Sequence, residues 1–204
     1  MTLDELKELA DKAVDGSVGC NDPHLAALHE SWAPFRRFLY AVAMEIKPEV
    51  IVECGVNMGT GTAHMALGSP DTLVIGIDRK FHPGVWDITG PYMNIVLLDG
   101  DTVAMAPTVK GLIGNSKIGL LFLDSTHDGL TPAAEFMAYR PMFADECIVA
   151  VDDLLGPKHQ MEQMQKFWKW LPGEKVELHF LHPVPETHIG IIDQPGFGVS
   201  IVRR

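Results

Sequence analysis

Residues 51–62 read IVECGVNMGTGT, and this stretch decides the fold. The run from Val50 to Cys54 is apolar apart from Glu53 and is short, the length of a buried strand. It gives way at once to Gly55 and then Gly59 in the pattern E-x-G-x-x-x-G. A glycine directly after a strand permits a tight turn and lets a ligand come close to backbone. Gly59 and Gly61 allow the following helix, which runs through His64 and Leu67, to begin close to the sheet. Free amides at such a turn suit a carboxylate or another polar group, although a purely structural glycine turn has the same pattern. The spacing is neither G-x-G-x-x-G nor G-x-x-x-x-G-K-S/T, so the nicotinamide and P-loop readings lose their main support.

Four more apolar runs follow: TLVIGID, NIVLLDGD, IGLLFLD and ECIVAVDD. TPAAEFMAYRPMF between the last two reads as a helix broken by Pro141, and Pro157 is placed to open another carrying Met164, Phe167, Trp168 and Leu171. Strands alternating with helices argue for an α/β fold with a mainly parallel sheet covered on both faces. The tail offers EKVELHFL, THIGIIDQP and GVSIVRR as strands with no helix between the last two, which predicts an antiparallel pair at an edge. Ahead of the first core strand, Leu3, Leu6, Leu9, Ala10 and Ala13 recur at helical spacing up to Asp15-Gly16. A second stripe comprises Phe35, Phe38, Leu39, Val42 and Ile46, closed by Pro48. Residues 1–47 thus read as a helical cap or lid on a single domain spanning residues 1–204.

The length of 204 residues suits one core, and 47% apolar with 21% charged residues is the balance of a folded globule. A net charge of −11 argues against a broad nucleic-acid surface. It fits a metal or cationic ligand, or solubility alone. No run is long enough for a membrane helix, and the charged start lacks the apolar stretch of a secretory signal, so a cytoplasmic location is expected. Cys20, Cys54 and Cys147 form neither a disulfide framework nor a CxxC site. A homo-oligomer is left open.

Several strands end in acids: Glu53, Asp78, Asp99, Asp124 and the pair Asp152-Asp153. In a parallel sheet these ends share one rim, where ligands bind. Asp78 lies about twenty residues past the glycine loop, where an acid either accepts from ribose hydroxyls or pairs with Arg79. Gly100, Asp101 and Thr102 could reach an adenine edge, though DGDT is also good turn chemistry. Asp124, Asp152 and Asp153 would converge if their strands are neighbours. Three carboxylates in one cleft repel, and a hard dication is the simplest compensation, with helix caps and ion pairs as the alternative. No lysine or arginine lies in DSTHDG or VDDLLG. His127 follows Asp124 by three residues and is a base, a metal ligand or a simple donor. His24 and His29 would line the cleft if the second helix is a lid, and Trp86 is a candidate substrate wall in the polar-aromatic loop KFHPGVWDITGPY.

VECGVNMGTGT, VIGID, LLDGDT and LFLDSTHDG, in this order, resemble the class I S-adenosylmethionine-dependent methyltransferases. Within them the chain is most similar to metal-dependent small-molecule O-methyltransferases, including the cephalosporin-hydroxylase-like and macrolide-sugar branch. The likeness covers residues 48–155 well. It implies a Rossmann-like, mostly parallel seven-stranded sheet with an antiparallel edge strand and helices on both faces. It also implies S-adenosylmethionine near Glu53, Gly55, Asn57 and Gly59 at its methionine part, Asp78 at its ribose, and Gly100, Asp101 and Thr102 near adenine. Asp124, Asp152 and Asp153 would hold Mg2+, or Ca2+ or Mn2+, with His127 and Asp124 catalytic. Catechol-type relatives have lysine and asparagine where this chain has His127 and Asp153, which favours a sugar or natural-product hydroxyl as the acceptor. The rival readings are a cofactor-binding protein without methyl transfer and another divalent-metal enzyme.

Overall fold

The computed structural model describes residues 1–18, 22, 33–154, 158–180 and 196–204. Seven strands form one sheet: β1 (Val50–Cys54), β2 (Leu73–Asp78), β3 (Ile95–Asp99), β4 (Ile118–Leu123), β5 (Phe143–Val151), β6 (Glu174–Leu178) and β7 (Phe197–Arg203). The order is β3-β2-β1-β4-β5-β7-β6. β1 to β5 pair in parallel, and β7 runs antiparallel to both β5 and β6. Among the described residues the antiparallel pair at this edge is β6 with β7, formed by EKVELHFL and GVSIVRR rather than by THIGIIDQP and GVSIVRR. Its reversed member is the inner strand, so β6 regains the common direction at the edge. The predicted strand THIGIIDQP, Pro157, and His24 and His29 lie outside the described residues.

Seven helices flank the sheet among the described residues: α1 (Leu3–Asp15), α2 (Ala33–Ile46), α3 (Thr60–Gly68), α4 (Val85–Thr89), α5 (Ala106–Ile113), α6 (Leu130–Tyr139) and α7 (Lys158–Trp170). Thr2 and Glu5 form a capping box at the start of α1, and Gly16 ends it in the left-handed region. Leu6, Ala10 and Ala13 of α1 and Phe38, Leu39 and Val42 of α2 are buried against Ile51, Leu120, Phe122 and Ile201. These two helices therefore form the covering layer of one sheet face, together with α3. The opposite face buries Val109, Phe136, Tyr139 and Phe167 from α5, α6 and α7, with Leu171 just past α7, against Val52, Cys54, Leu121 and Val149. The segment KFHPGVWDITGPY, read as a loop, contains the single-turn α4. α5 is a helix that the sequence barely announced, because Pro107 and Gly111 dilute its pattern.

The strand ends are locked together just where pairing stops. The Asp124 amide donates to the Cys54 carbonyl at 2.8 Å and the Asp152 amide to the Leu123 carbonyl at 3.1 Å. Gly55 has φ +94°, and a β-carbon there would collide with the Asp124 carbonyl. Gly55→Ala is therefore expected to lose about 2 kcal/mol or more of stability, read from the urea midpoint at constant slope.

Candidate active site

Side-chain alternation sets the site. Glu53 is in register with Gly76 on β2 and with Phe122 on β4, and Phe122 with Ala150 on β5. Paired residues of parallel strands point to the same face, and so do residues two apart. Glu53, Asp78, Asp124 and Asp152 therefore share both the rim and a face, the face covered by α1, α2 and α3.

Each acid meets a different environment. Asp78 Oδ2 accepts from the amides of Val56 and Asn57, both at 2.9 Å, and Oδ1 from the Lys80 amide at 3.0 Å. It thus clamps the glycine loop, and Asn57 is held at φ +48°. Glu53 is 2% exposed and accepts from the Thr62 hydroxyl of α3. Burial pushes its pKa up to about 8, against the pull of Thr62 and Arg36. A β-carbon on Gly61 would stand 2.5 Å from Glu53 Oε1, which is why the start of α3 can lie this close to the sheet.

Asp124 is pushed well above the usual carboxylate range, first by burial, then by Asp152, Glu53 and Asp153. Asp152 rises to about 7 through burial and Asp153, opposed by the Asp153 amide, His127 and Arg36. Asp153 takes φ +54°, its amide 2.9 Å from Asp152 Oδ1. This turn sends its carboxylate toward His127, with Nδ1 2.8 Å from Asp153 Oδ2 but without the alignment of a hydrogen bond. The His127 pKa is raised, chiefly by Asp153, while burial opposes the shift. Ligand atoms of Asp124, His127 and Asp153 all lie within 4.8 Å of one another. Of the three acids expected to converge, Asp124 and Asp153 join this group with His127, and Asp152 stands beside it.

A cavity of about 320 Å³ opens between the glycine loop and this group. Gly55, Asn57, Asp78, Thr102, Asp124 and His127 line it, with Arg79, Ser125, Thr126 and Thr131. Glu53 and Gly59 are buried behind the lining. Gly100 and Asp101 stand outside it. Asp101 accepts from the amides of Val103 and Ala104 through Oδ1 and pairs with Arg79 through Oδ2. Asp128 caps the start of α6 through the amides of Leu130 and Thr131. Trp86 is 62% exposed and packs edge-on against Phe81, and it does not line the cavity. A hollow of about 500 Å³ at the opposite rim, lined by Pro48, Glu49, Lys117 and Arg204 among others, contains none of the clustered strand-end acids.

Two site residues escaped the sequence reading. Glu135 of α6 is fully buried, and its Oε1 accepts from the hydroxyls of Thr102 and Ser125, tying two cavity walls together. Its pKa is raised by burial against those two bonds. Arg36 of α2 brings positive charge to Asp124, Glu53 and Asp152, while burial lowers its own pKa. Neither carried a local signal, since both become visible only when helices pack on the sheet.

Residues 52–154 match the family of methyltransferase domains. The chain belongs to that family. The methyltransferase fold recurs in the solved structures it resembles. The O-methyltransferase TomG of Streptomyces achromogenes, involved in tomaymycin synthesis and solved with SAM, is 16% identical over 100% of both chains, with a TM-score of 0.73. An O-methyltransferase of Bacillus cereus in complex with SAH is 12% identical over 100% of this chain and 92% of its own, with a TM-score of 0.66. CalS11, a TDP-rhamnose 3′-O-methyltransferase of calicheamicin biosynthesis, is 18% identical over 98% and 93%, with a TM-score of 0.58. At these identities the likeness establishes the fold. A comparison with curated proteins found no match. Among the described residues no helix is long and apolar enough to cross a membrane.

His64 of α3 packs locally, its Nδ1 2.7 Å from the Thr60 carbonyl. Burial is the main cause that pushes its pKa down from 6.5 to about 4, with the Thr60 bond opposing and Arg36 and Arg37 adding to the fall. A histidine depressed on folding binds fewer protons when folded. Its contribution is complete above pH 6.5 and is lost as pH falls to about 4. His64→Gln is expected to flatten the acid limb of the stability curve in that window by up to about 3 kcal/mol, measured by urea unfolding at several pH values.

Proposed function

We propose that the chain transfers the methyl group of S-adenosylmethionine to a hydroxyl oxygen of a small molecule, with Mg2+, or Ca2+ or Mn2+, at the acid cluster. The observation that carries this reading is the meeting of the glycine loop, Asp78 and the Asp124–His127–Asp153 group around one cavity. Two of the similar structures are O-methyltransferases bound to SAM or SAH, which supports the choice of donor and of oxygen as acceptor. The −11 charge supports a small molecule over nucleic acid.

The residues fit a hard dication. Their donors are chiefly carboxylate oxygens, burial and then the neighbouring carboxylates raise the pKa of Asp124 and Asp152, and His127 Nδ1 has no aligned partner. Asp124 and Asp153 would hold the ion with Asp152 beside them, and a bound dication lowers the pKa of an acceptor hydroxyl. His127 Nδ1 faces Asp153, so Nε2 is the atom left to take the acceptor's proton. Asp78 already accepts three amide bonds, and a carboxylate has roughly four acceptor positions, leaving one for a ribose hydroxyl. The oxygen then attacks the sulfonium methyl in line while the protein holds the two partners in register.

Asp124→Asn is expected to lower methyl transfer at least about 100-fold, and EDTA to do the same to the wild type. Release of S-adenosylhomocysteine across a panel of hydroxylated sugars and phenols measures it. Full turnover with chelator present would remove the metal from the reading. Asp78→Ala is expected to weaken S-adenosylhomocysteine binding by about 10-fold or more, and unchanged affinity in calorimetry would remove the ribose role.

A further inference from the structure

α6 and α7 lie side by side and run in the same direction. A β-carbon on Gly129, just before α6, would collide with Gln163 of α7, and further along both helices the rings of Phe136 and Trp170 meet edge to face at 5.7 Å. Away from the sheet, α6 presents Leu130, Ala134 and Met137, which fall on one side of a helix at this spacing. Leu130 is 77% exposed, Met137 52% and Trp170 50%. This outer side of α6 carries no charge, because the one acid of the helix, Glu135, is fully buried on the inner side. Large apolar side chains gathered in solvent mark a surface that meets a partner.

The charges around the stripe say which partner. Asp128 and Glu162 are exposed at its start, and Arg140 at its end, with Lys166 and Lys169 alongside on α7. Among the described residues neither Glu162 nor any of these three basic side chains forms an ion pair. The face is thus negative at one end and positive toward the other. At a net charge of −11, two copies of the chain repel over most of their surface. Here they need not. A two-fold axis lying in the contact plane and crossing α6 at Ala134 sets the two α6 helices antiparallel. Leu130 of one copy then meets Met137 of the other, and the acids at the start of one stripe face Arg140 at the end of the other. The small side chain of Ala134 lets the helices approach closely at the axis. Another protein would have to match this gradient of charge, whereas a second copy carries it reversed by symmetry.

We propose that the outer face of α6, with Trp170 beside it, joins two copies of this chain about a two-fold axis. The inner side of the same helix holds Glu135 against Thr102 and Ser125, so the contact braces a wall of the cavity from behind. Sedimentation equilibrium of the full chain tests it, independently of any ligand. The wild type is expected to be a dimer over about 1–100 μM. L130D is expected to weaken the dimer at least about 30-fold. Its urea midpoint is expected to stay unchanged, since an acid at the first position of a helix is well placed and Leu130 is exposed. If L130D does not fold, M137D takes its place with the same expected loss. R140E is expected to weaken the dimer by about 10-fold, and E162K added to R140E to regain most of that loss, because the double reversal restores opposite charges across the axis. A wild type that stays monomeric at the highest concentration would overturn the proposal and leave the face to a different partner. A dimer that L130D leaves intact, or a loss in R140E that E162K does not repair, would overturn it as well.

Discussion

Like-charge repulsion at the carboxyl rim of the sheet is the constraint on which the rest depends. Parallel pairing and side-chain alternation bring Glu53, Asp78, Asp124 and Asp152 to one edge and one face. The chain resolves the repulsion in three ways. Asp78 is satisfied by backbone amides. Glu53 is buried with a hydroxyl, and burial pushes its pKa up to about 8. Asp124 and Asp152 are left to oppose each other, with Arg36 and His127 as the positive groups nearby. A pair so arranged is costly unless something cationic joins it, and that cost is what marks the edge as a site rather than a surface.

The glycine loop and the acid rim are one mechanical unit. Gly55 leaves no room between the loop and the Asp124 carbonyl, and Gly61 none between α3 and Glu53. The Asp78 clamp holds Val56 and Asn57 from the β2 side. Displacing any one of these therefore shifts the others. On the opposite face, Glu135 ties Thr102 to Ser125, and the Tyr139 hydroxyl, one turn further along α6, donates to the Thr102 carbonyl at 2.5 Å. The cavity walls that follow β3 and β4 are thus fixed by a helix packed behind them. Rigid support of this kind is what alignment of two reacting partners requires.

Much of the architecture could be read along the chain because its signals are local. A strand closed by Gly55, four further apolar runs ended by acids and a Pro141 break need only neighbouring residues to be recognised. The same holds for the candidate residues Gly55, Asn57, Asp78, Asp124 and His127, each of which ends a strand or lies within a few residues of its end. α5 was faint because Pro107 and Gly111 weaken a short amphipathic pattern. Trp86, in an aromatic loop near the rim, was a reasonable candidate wall, but its ring turned outward against Phe81.

The sequence by itself determined which residues end the strands, and so that acids, a glycine turn and His127 would gather at one edge. Only the tertiary structure decided how those charges are answered. Arg36 and Glu135 reach the site from helices whose own sequence periodicity records burial, not the identity of the partner across the interface. The left-handed turn at Asp153 likewise depends on the chain path after β5, and it is this turn that pairs Asp153 with His127 and leaves Asp152 to face Asp124. Strand ends are fixed by a two-residue alternation legible in any short window. Counter-charges are fixed by distances through space, and those exist only once the helices are packed on the sheet.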